Sequence, residues 1–170
     1  MSKTELAFSY RELDRHAAAH DASHFLLIPE AVAKVTEATE VAKYFAYANK
    51  ARKSVTFRSG GTSLSGQGIT DALQLDVRKA FRDIEVLDEG KRVRVQPGAT
   101  VRHVNNRLLR FGRKLGPDPA SEIAATVGGV ISNNSSGMAC GTEQNTYQTL
   151  ESLTFILPSG TKINTADSDA

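Results

Sequence analysis

The residues best suited to chemistry lie in one run, Arg58-Ser59-Gly60-Gly61-Thr62-Ser63-Leu64-Ser65-Gly66-Gln67-Gly68. Glycine permits backbone angles that turn consecutive N–H groups towards a common centre. Such a nest of amides binds anionic oxygen, and the hydroxyls of Thr62, Ser63 and Ser65 add donors. The predicted chemistry is capture of a pyrophosphate by bare main chain. Two better-known phosphate loops do not fit. Gly61-x-x-x-x-Gly66 begins like a Walker A loop, but Gln67-Gly68 stands where Lys-Ser/Thr should follow, which removes the charge partner of the terminal phosphates. Gly66-Gln67-Gly68-Ile69-Thr70-Asp71 lacks the third glycine of a dinucleotide fingerprint and leads into a strand. A Gly/Ser-rich surface loop without a ligand is the remaining alternative.

Further along, Gly116-Pro117-Asp118-Pro119 is a rigid turn whose prolines fix φ. It introduces a small-residue stretch from Ala120 to Gly129, against which another group can pack closely. Ser132-Asn133-Asn134-Ser135-Ser136, closed by Gly137, offers donors and acceptors that could match a flat heterocycle. A polar helix end capped by Ser and Asn explains the same residues equally well. Cys140 has no base near it in sequence and reads as a small packed residue. His16, His20 and His24 recur every fourth residue, but no carboxylate completes a metal set, and an exposed helix face is the expectation. No metal site and no catalytic residue are expected in the chain.

These segments need elements to position them. A length of 170 residues suits one domain of two lobes. A net charge of +2 implies no obligatory polyanionic partner, and one cysteine fits a reducing compartment. No secretory segment and no run long enough to span a bilayer is present, so a cytoplasmic protein is expected. Thr4 to His20 is moderately helical, forming an arm over residues 1–24. A first α/β lobe follows over 25–80. In it a short strand over Ala31–Val35 leads to an amphipathic helix ending near Arg52, then a strand at Val55–Phe57 that enters the glycine loop. Leu73-Gln74-Leu75-Asp76-Val77 alternates like a strand.

The texture changes after Val77, and residues 81–170 are expected to form a second, α+β lobe. Ile84–Leu87 and Lys91–Val95 read as a hairpin. A helix capped by Thr100 carries Val101, Val104, Leu108 and Phe111 on one side. Its arginine face, without interleaved aromatics, is expected to be solvated rather than to bind nucleic acid. A last hairpin turns at Pro158-Ser159-Gly160.

The glycine loop, Pro117-Asp118-Pro119, Thr126-Val127-Gly128-Gly129, Asn133–Gly137 and Leu157-Pro158-Ser159-Gly160 together carry a resemblance. The chain resembles the FAD-binding domain of FAD-linked oxidases of the vanillyl-alcohol oxidase (PCMH) type. It is most similar to the branch holding D-lactate dehydrogenases and glycolate oxidase flavoprotein subunits, including forms fused to iron–sulfur domains. The resemblance implies an α+β fold of two lobes holding FAD. It implies a flavin-dependent oxidoreductase that passes a hydride from a 2-hydroxy acid to flavin N5 in the full-length parent.

By the same resemblance, Ser59, Gly60, Gly61, Thr62, Ser63 and Leu64 would wrap the pyrophosphate, flanked by Arg58 and Gln67. Pro119, Ala120, Ser121, Ala125, Thr126, Gly128 and Gly129 would lie along the ribityl chain and ring. Asn133, Asn134, Ser135, Ser136 and Gly137 would reach the cofactor from the second lobe. Some relatives attach the flavin through a histidine in the glycine loop. Thr62 occupies that region here, so non-covalent FAD is expected. The family carries a further cofactor segment and a substrate cap downstream, whereas this chain stops first. The expectation is therefore a domain truncated on its C-terminal side, with weakened or no FAD affinity and no turnover alone. Its partners would be the parent's cap and an iron–sulfur domain, and the parent could be membrane-peripheral. A degenerate domain serving as a non-catalytic binding module is the alternative.

Overall fold

In a computed structural model the described residues are 6–168. The expected helical start at Thr4 lies outside them. The chain divides into two compact units, one comprising residues up to Arg58, Ser63–Val77 and Ser152 onward, the other Ser59–Thr62 and Arg78–Glu151. The expected segments are 1–24, 25–80 and 81–170; here the described residues of 1–24 and the last hairpin fall in the first unit, and Ser59–Thr62 falls in the second. Asn49 Nδ2 donates to the Pro158 carbonyl at 3.0 Å, a contact between residues far apart in sequence.

The first unit is built on a four-stranded sheet, β1 (Phe8–Ser9), β2 (Ala31–Lys34), β3 (Val55–Arg58) and β4 (Leu73–Asp76), in the order β1-β2-β4-β3. Strands β2 and β3 pair parallel to the central β4, while β1 is an antiparallel edge. Helix α1 (Glu12–Ala17) is shorter than the alanine run predicts. Helix α2 (Ala38–Ala51) buries Val41, Tyr44 and Ala48, and Ala48 packs with Ala31 and Leu73. Phe45 is only half-buried and meets Phe57 edge-on, with ring centres 5.9 Å apart. Period-2 alternation puts Leu73 and Leu75 on one face of β4 and Gln74 and Asp76 on the other. The polar face is not solvated: Gln74 is 0% and Asp76 6% exposed. Strands β7 (Thr154–Ile156) and β8 (Lys162–Asn164) complete the unit as a hairpin.

The start of α2 yields a pH-dependent prediction. Glu40, three residues after the N-cap Glu37, accepts through Oε2 from the Thr36 N–H (2.7 Å), the Thr36 hydroxyl (3.0 Å) and the Glu37 N–H (3.3 Å). The Thr36 N–H, more than partial burial opposes it, holds this carboxyl below its ordinary value. A depressed folded-state pKa gives stability that is present above the unfolded value and lost as pH falls through the folded one. Glu40→Ala should therefore cost about 1 kcal/mol at neutral pH. The deficit should shrink as pH drops below the ordinary glutamate range, read by urea unfolding at neutral and acid pH.

In the second unit, β5 (Ile84–Leu87) and β6 (Arg92–Val95) form an antiparallel hairpin over α3 (Val101–Leu108). Val101, Val104 and Leu108 are buried, at the helical spacing expected, and the Thr100 hydroxyl accepts from the His103 N–H. The helix runs into a 3₁₀ turn that ends at Gly112, whose φ of 64° favours glycine. On its outer face Arg102 pairs with Glu122 at 2.7 Å. Short helices α4 (Val127–Ser132) and α5 (Thr146–Thr149) follow, and Val130 of α4 packs with Val101 and Ala125.

Candidate functional site

Strand β3 delivers the glycine loop at its carboxyl end, where α/β ligand sites are found. Among the described residues, no backbone N–H from Ser59 to Leu64 donates to a protein acceptor. Folded proteins pair more than 90% of buried backbone N–H groups, and Ser59 to Ser63 are half-buried. A run of donors that no protein group takes there is open to an outside acceptor. Gly61 sits at φ 70°, the left-handed region that reverses the direction of successive amides. No strand pairing consumes this stretch.

The part of the loop within the second unit, Ser59–Thr62, is fixed by close approach. A Cβ on Gly60 would stand 2.1 Å from the Ala124 carbonyl oxygen. The Ser59 and Thr126 hydroxyls hydrogen-bond to each other, and Thr126 is 4% exposed. Pro119 opens a turn in which its carbonyl accepts from the Glu122 N–H (2.9 Å) and the Ser121 carbonyl from those of Ala124 and Ala125 (both 2.8 Å). Ala120 and Ser121 are exposed on that turn, and Ala125 is buried. The two glycines of α4 differ. A Cβ on Gly128 would lie 2.6 Å from Pro97 Cβ, so this glycine serves packing. A Cβ on Gly129 would meet only Thr126 Oγ1, at 3.8 Å.

In the first unit, the Ser63 hydroxyl is the hub of the loop's second half. It donates to Gln67 Oε1 at 3.0 Å and accepts from the N–H groups of Ser65 (3.2 Å) and Gln67 (3.3 Å). Gly66 turns the chain at φ 76°. Arg58, 7% exposed at the end of β3, donates through Nη1 to the His20 carbonyl at 2.7 Å. Arg58, Ser63 and Gln67 thus hold the loop's own shape.

The Asn133–Gly137 segment also spends much of its polarity inside its unit. Asn134, at φ 47°, accepts through Oδ1 from the Tyr147 N–H at 3.2 Å. The Ser136 hydroxyl donates to the Asn134 carbonyl at 2.9 Å, and the Ser136 carbonyl accepts from the Asp118 N–H at 2.7 Å. Gly137 is required: a Cβ there would lie 2.3 Å from the Asp118 carbonyl oxygen. Among the described residues the side chains of Thr62, Ser121, Asn133 and Ser135 engage no protein partner, leaving them available to a ligand. Cys140 is 7% exposed and its thiol faces the Gly137 and Gly141 carbonyls, a packed residue. No group of three or more metal-ligating side chains occurs among the described residues. No described helix is long and apolar enough to cross a membrane.

Sequence reasoning missed Asp21 and Gln74, which grip Gly68 at the loop's far end. The signal is weak: one glutamine in a strand that alternates apolar and polar residues.

Comparison with known proteins bears on what these donors hold. A family model described as "FAD binding domain" matches residues 29–166. A D-2-hydroxyglutarate dehydrogenase of Pseudomonas putida is 29% identical over 159 residues, covering 91% of this chain and 16% of that protein. A D-lactate dehydrogenase of Archaeoglobus fulgidus is 30% identical over 153 residues, covering 86% of this chain and 33% of that one. The chain therefore spans only a minor part of either relative's length. The crystal structure of 6-hydroxy-D-nicotine oxidase from Arthrobacter nicotinovorans superposes with a TM-score of 0.81 at 21% identity, over 96% of this chain and 37% of that one. At that identity the likeness is one of fold.

Proposed function

The chain belongs to the FAD binding domain family, and from that premise we propose that it holds FAD non-covalently as the cofactor domain of a flavin-dependent oxidoreductase acting on a 2-hydroxy acid. The observation that carries the reading is the set of unspent N–H groups from Ser59 to Leu64. An FAD pyrophosphate supplies the anionic oxygens such a set needs. Arg58 and Gln67 support the loop from within. The free side chains of Ser121, Asn133 and Ser135 are the polar groups left for the ribityl chain and ring. Bound FAD would supply the redox chemistry that side chains lack. The protein's part is to bind, to orient the cofactor and to exclude water. Thr62 in place of a linking histidine supports reversible binding. The substrate class rests on the relatives, which are a D-2-hydroxyglutarate and a D-lactate dehydrogenase by name. A substrate cap would come from the rest of a longer parent.

The test is to titrate the purified chain with FAD, following flavin fluorescence and amide exchange together. Saturable quenching with slowed exchange at Ser59–Leu64 is expected. A colourless chain that ignores added FAD would instead favour a non-catalytic binding module. Acid precipitation should leave the flavin in the supernatant; a yellow pellet would contradict reversible attachment.

Gly129 offers a second measurement. Gly129→Ala meets no close protein atom, and alanine in a helix gains up to about 1 kcal/mol over glycine. The variant should keep or raise its Tm. If the cofactor lies against this residue, FAD affinity should fall nonetheless, and unchanged affinity would move the ring away from Gly129.

A further inference from the structure

The polar face of β4 has a purpose that the alternating sequence does not reveal. Gln74 is 0% exposed, and its Nε2 donates to two carbonyls, Ala18 at 3.2 Å and Gly68 at 3.0 Å. Asp21 reaches the same glycine from the connector between α1 and β2. Its Oδ2 accepts from the Gly68 N–H at 3.4 Å, and its Oδ1 from the Ser23 N–H at 2.9 Å. Arg58 Nη1 donates to the carbonyl of the neighbouring His20. Gly68 is therefore held at both its N–H and its C=O. The connector that supplies Asp21 is tied down by Gln74 and Arg58 in turn.

Burying a glutamine in the central strand is unfavourable unless its hydrogen bonds are made. Here Oε1 is buried without a protein partner among the described residues, so the amide is not fully satisfied. An apolar residue would pack this position without that deficit. What the glutamine gains is a fixed distance between β4 and the end of the glycine loop. Asp21 is suited to its place too. Partial burial pushes its carboxyl upward, but hydrogen bonds from Ser23 and the Gly68 N–H and the charge of Arg58 outweigh this and keep it below its ordinary value.

We propose that Gln74 and Asp21 are positioning residues for the anion-binding loop, clamping Gly68 so that the loop is already formed before FAD arrives. The inference rests on the reading of that loop as the pyrophosphate site. Preorganisation raises affinity by removing the entropy of ordering the loop on binding. Neither side chain need touch the cofactor.

Two variants test it, Gln74→Met, which keeps length and apolar bulk, and Asp21→Ala, at a half-buried site that should fold without difficulty. In the cofactor-free chain, amide exchange at Gly66–Ile69 should accelerate about tenfold, as loss of one net hydrogen bond implies. The amides of Val32, Ala33 and Leu75 in the sheet should keep their protection. FAD should bind about tenfold more weakly to each variant. Asp21→Asn, which retains an acceptor for the Gly68 N–H, should restore both values towards the parent chain. Unchanged exchange at Gly66–Ile69, exchange that rises in step with the whole sheet, or unchanged FAD affinity would each overturn the proposal. Should the unaltered chain show no FAD binding, as its span of only a minor part of its relatives allows, the exchange measurements alone decide whether the clamp shapes the loop.

Discussion

Gly61→Val is expected to yield a folded chain that retains no FAD. The residue sits at φ 70°, where a β-branched side chain is a steric outlier. Forcing an L-residue into that region costs roughly 1–2 kcal/mol. The loop can escape by flipping to negative φ, but the flip turns its amides away from a common centre. If it flips, the N–H groups of Gly60 to Ser63 are redirected; if it does not, the loop keeps the strain of a β-branched residue at positive φ. Because the loop pairs with no strand, the loss falls on binding more than on folding. Removing even two charge-assisted hydrogen bonds, at about 1.5–3 kcal/mol each, weakens binding by a hundredfold or more. Gly61→Ala separates the causes, since it carries the φ penalty with the smallest side chain and should bind FAD with an intermediate affinity. The measurements are the flavin-to-protein absorbance ratio after gel filtration and the Tm of each variant. A Gly61→Val chain with a normal flavin content would end the pyrophosphate assignment.

The loop was legible because its glycines are needed for reasons that leave a trace in sequence. Gly61 and Gly66 take positive φ, and Gly60 is pressed against a carbonyl. The α3 core residues were legible for the same kind of reason, since a 3.6-residue period is local. What stayed hidden depends on partners far along the chain. The alanines at 17–19 favour a helix reaching His20, yet α1 stops at Ala17. The Ala18 carbonyl is taken by Gln74 and the Ala19 carbonyl by the Leu27 N–H, tertiary bonds that outweigh a propensity of tenths of a kcal/mol. The two-residue β1 exists only because β2 offers an edge. Alternation in β4 marks a polar face, and no local pattern announces that Gln74 is buried with its amide on the Ala18 carbonyl. The Asn133–Gly137 run leaves two readings open in sequence, a ligand contact and a capped helix end; Asn134 and Ser136 make bonds inside their own unit, while the side chains of Asn133 and Ser135 make none among the described residues.

Gly60→Ala should be among the most damaging conservative changes to the glycine loop. Gly60 does not take positive φ, so alanine meets no backbone penalty there, and any effect must come from contact. That contact is severe: the new methyl would lie 2.1 Å from the Ala124 oxygen and 2.9 Å from its carbonyl carbon. Both obstacles are backbone, in a turn already fixed by the N–H groups of Ala124 and Ala125 on the Ser121 carbonyl, so no rotamer change relieves the clash. Either the turn or the loop must move by about an ångström, and overpacking of this kind costs about 1–3 kcal/mol. For a chain of this length that corresponds to a fall in Tm of very roughly 2–12 °C. The displacement should also break the hydroxyl pair between Ser59 and Thr126 and shift the first unspent amides of the loop. FAD affinity should then drop with stability, unlike Gly61→Val, where binding fails in a chain that keeps most of its Tm. Ala124→Gly cannot rescue Gly60→Ala, because the obstructing atoms are main chain. A Gly60→Ala chain with unaltered Tm and affinity would show that residues 120–124 yield freely, and that the close approach seen at Gly60 does not hold the loop in place.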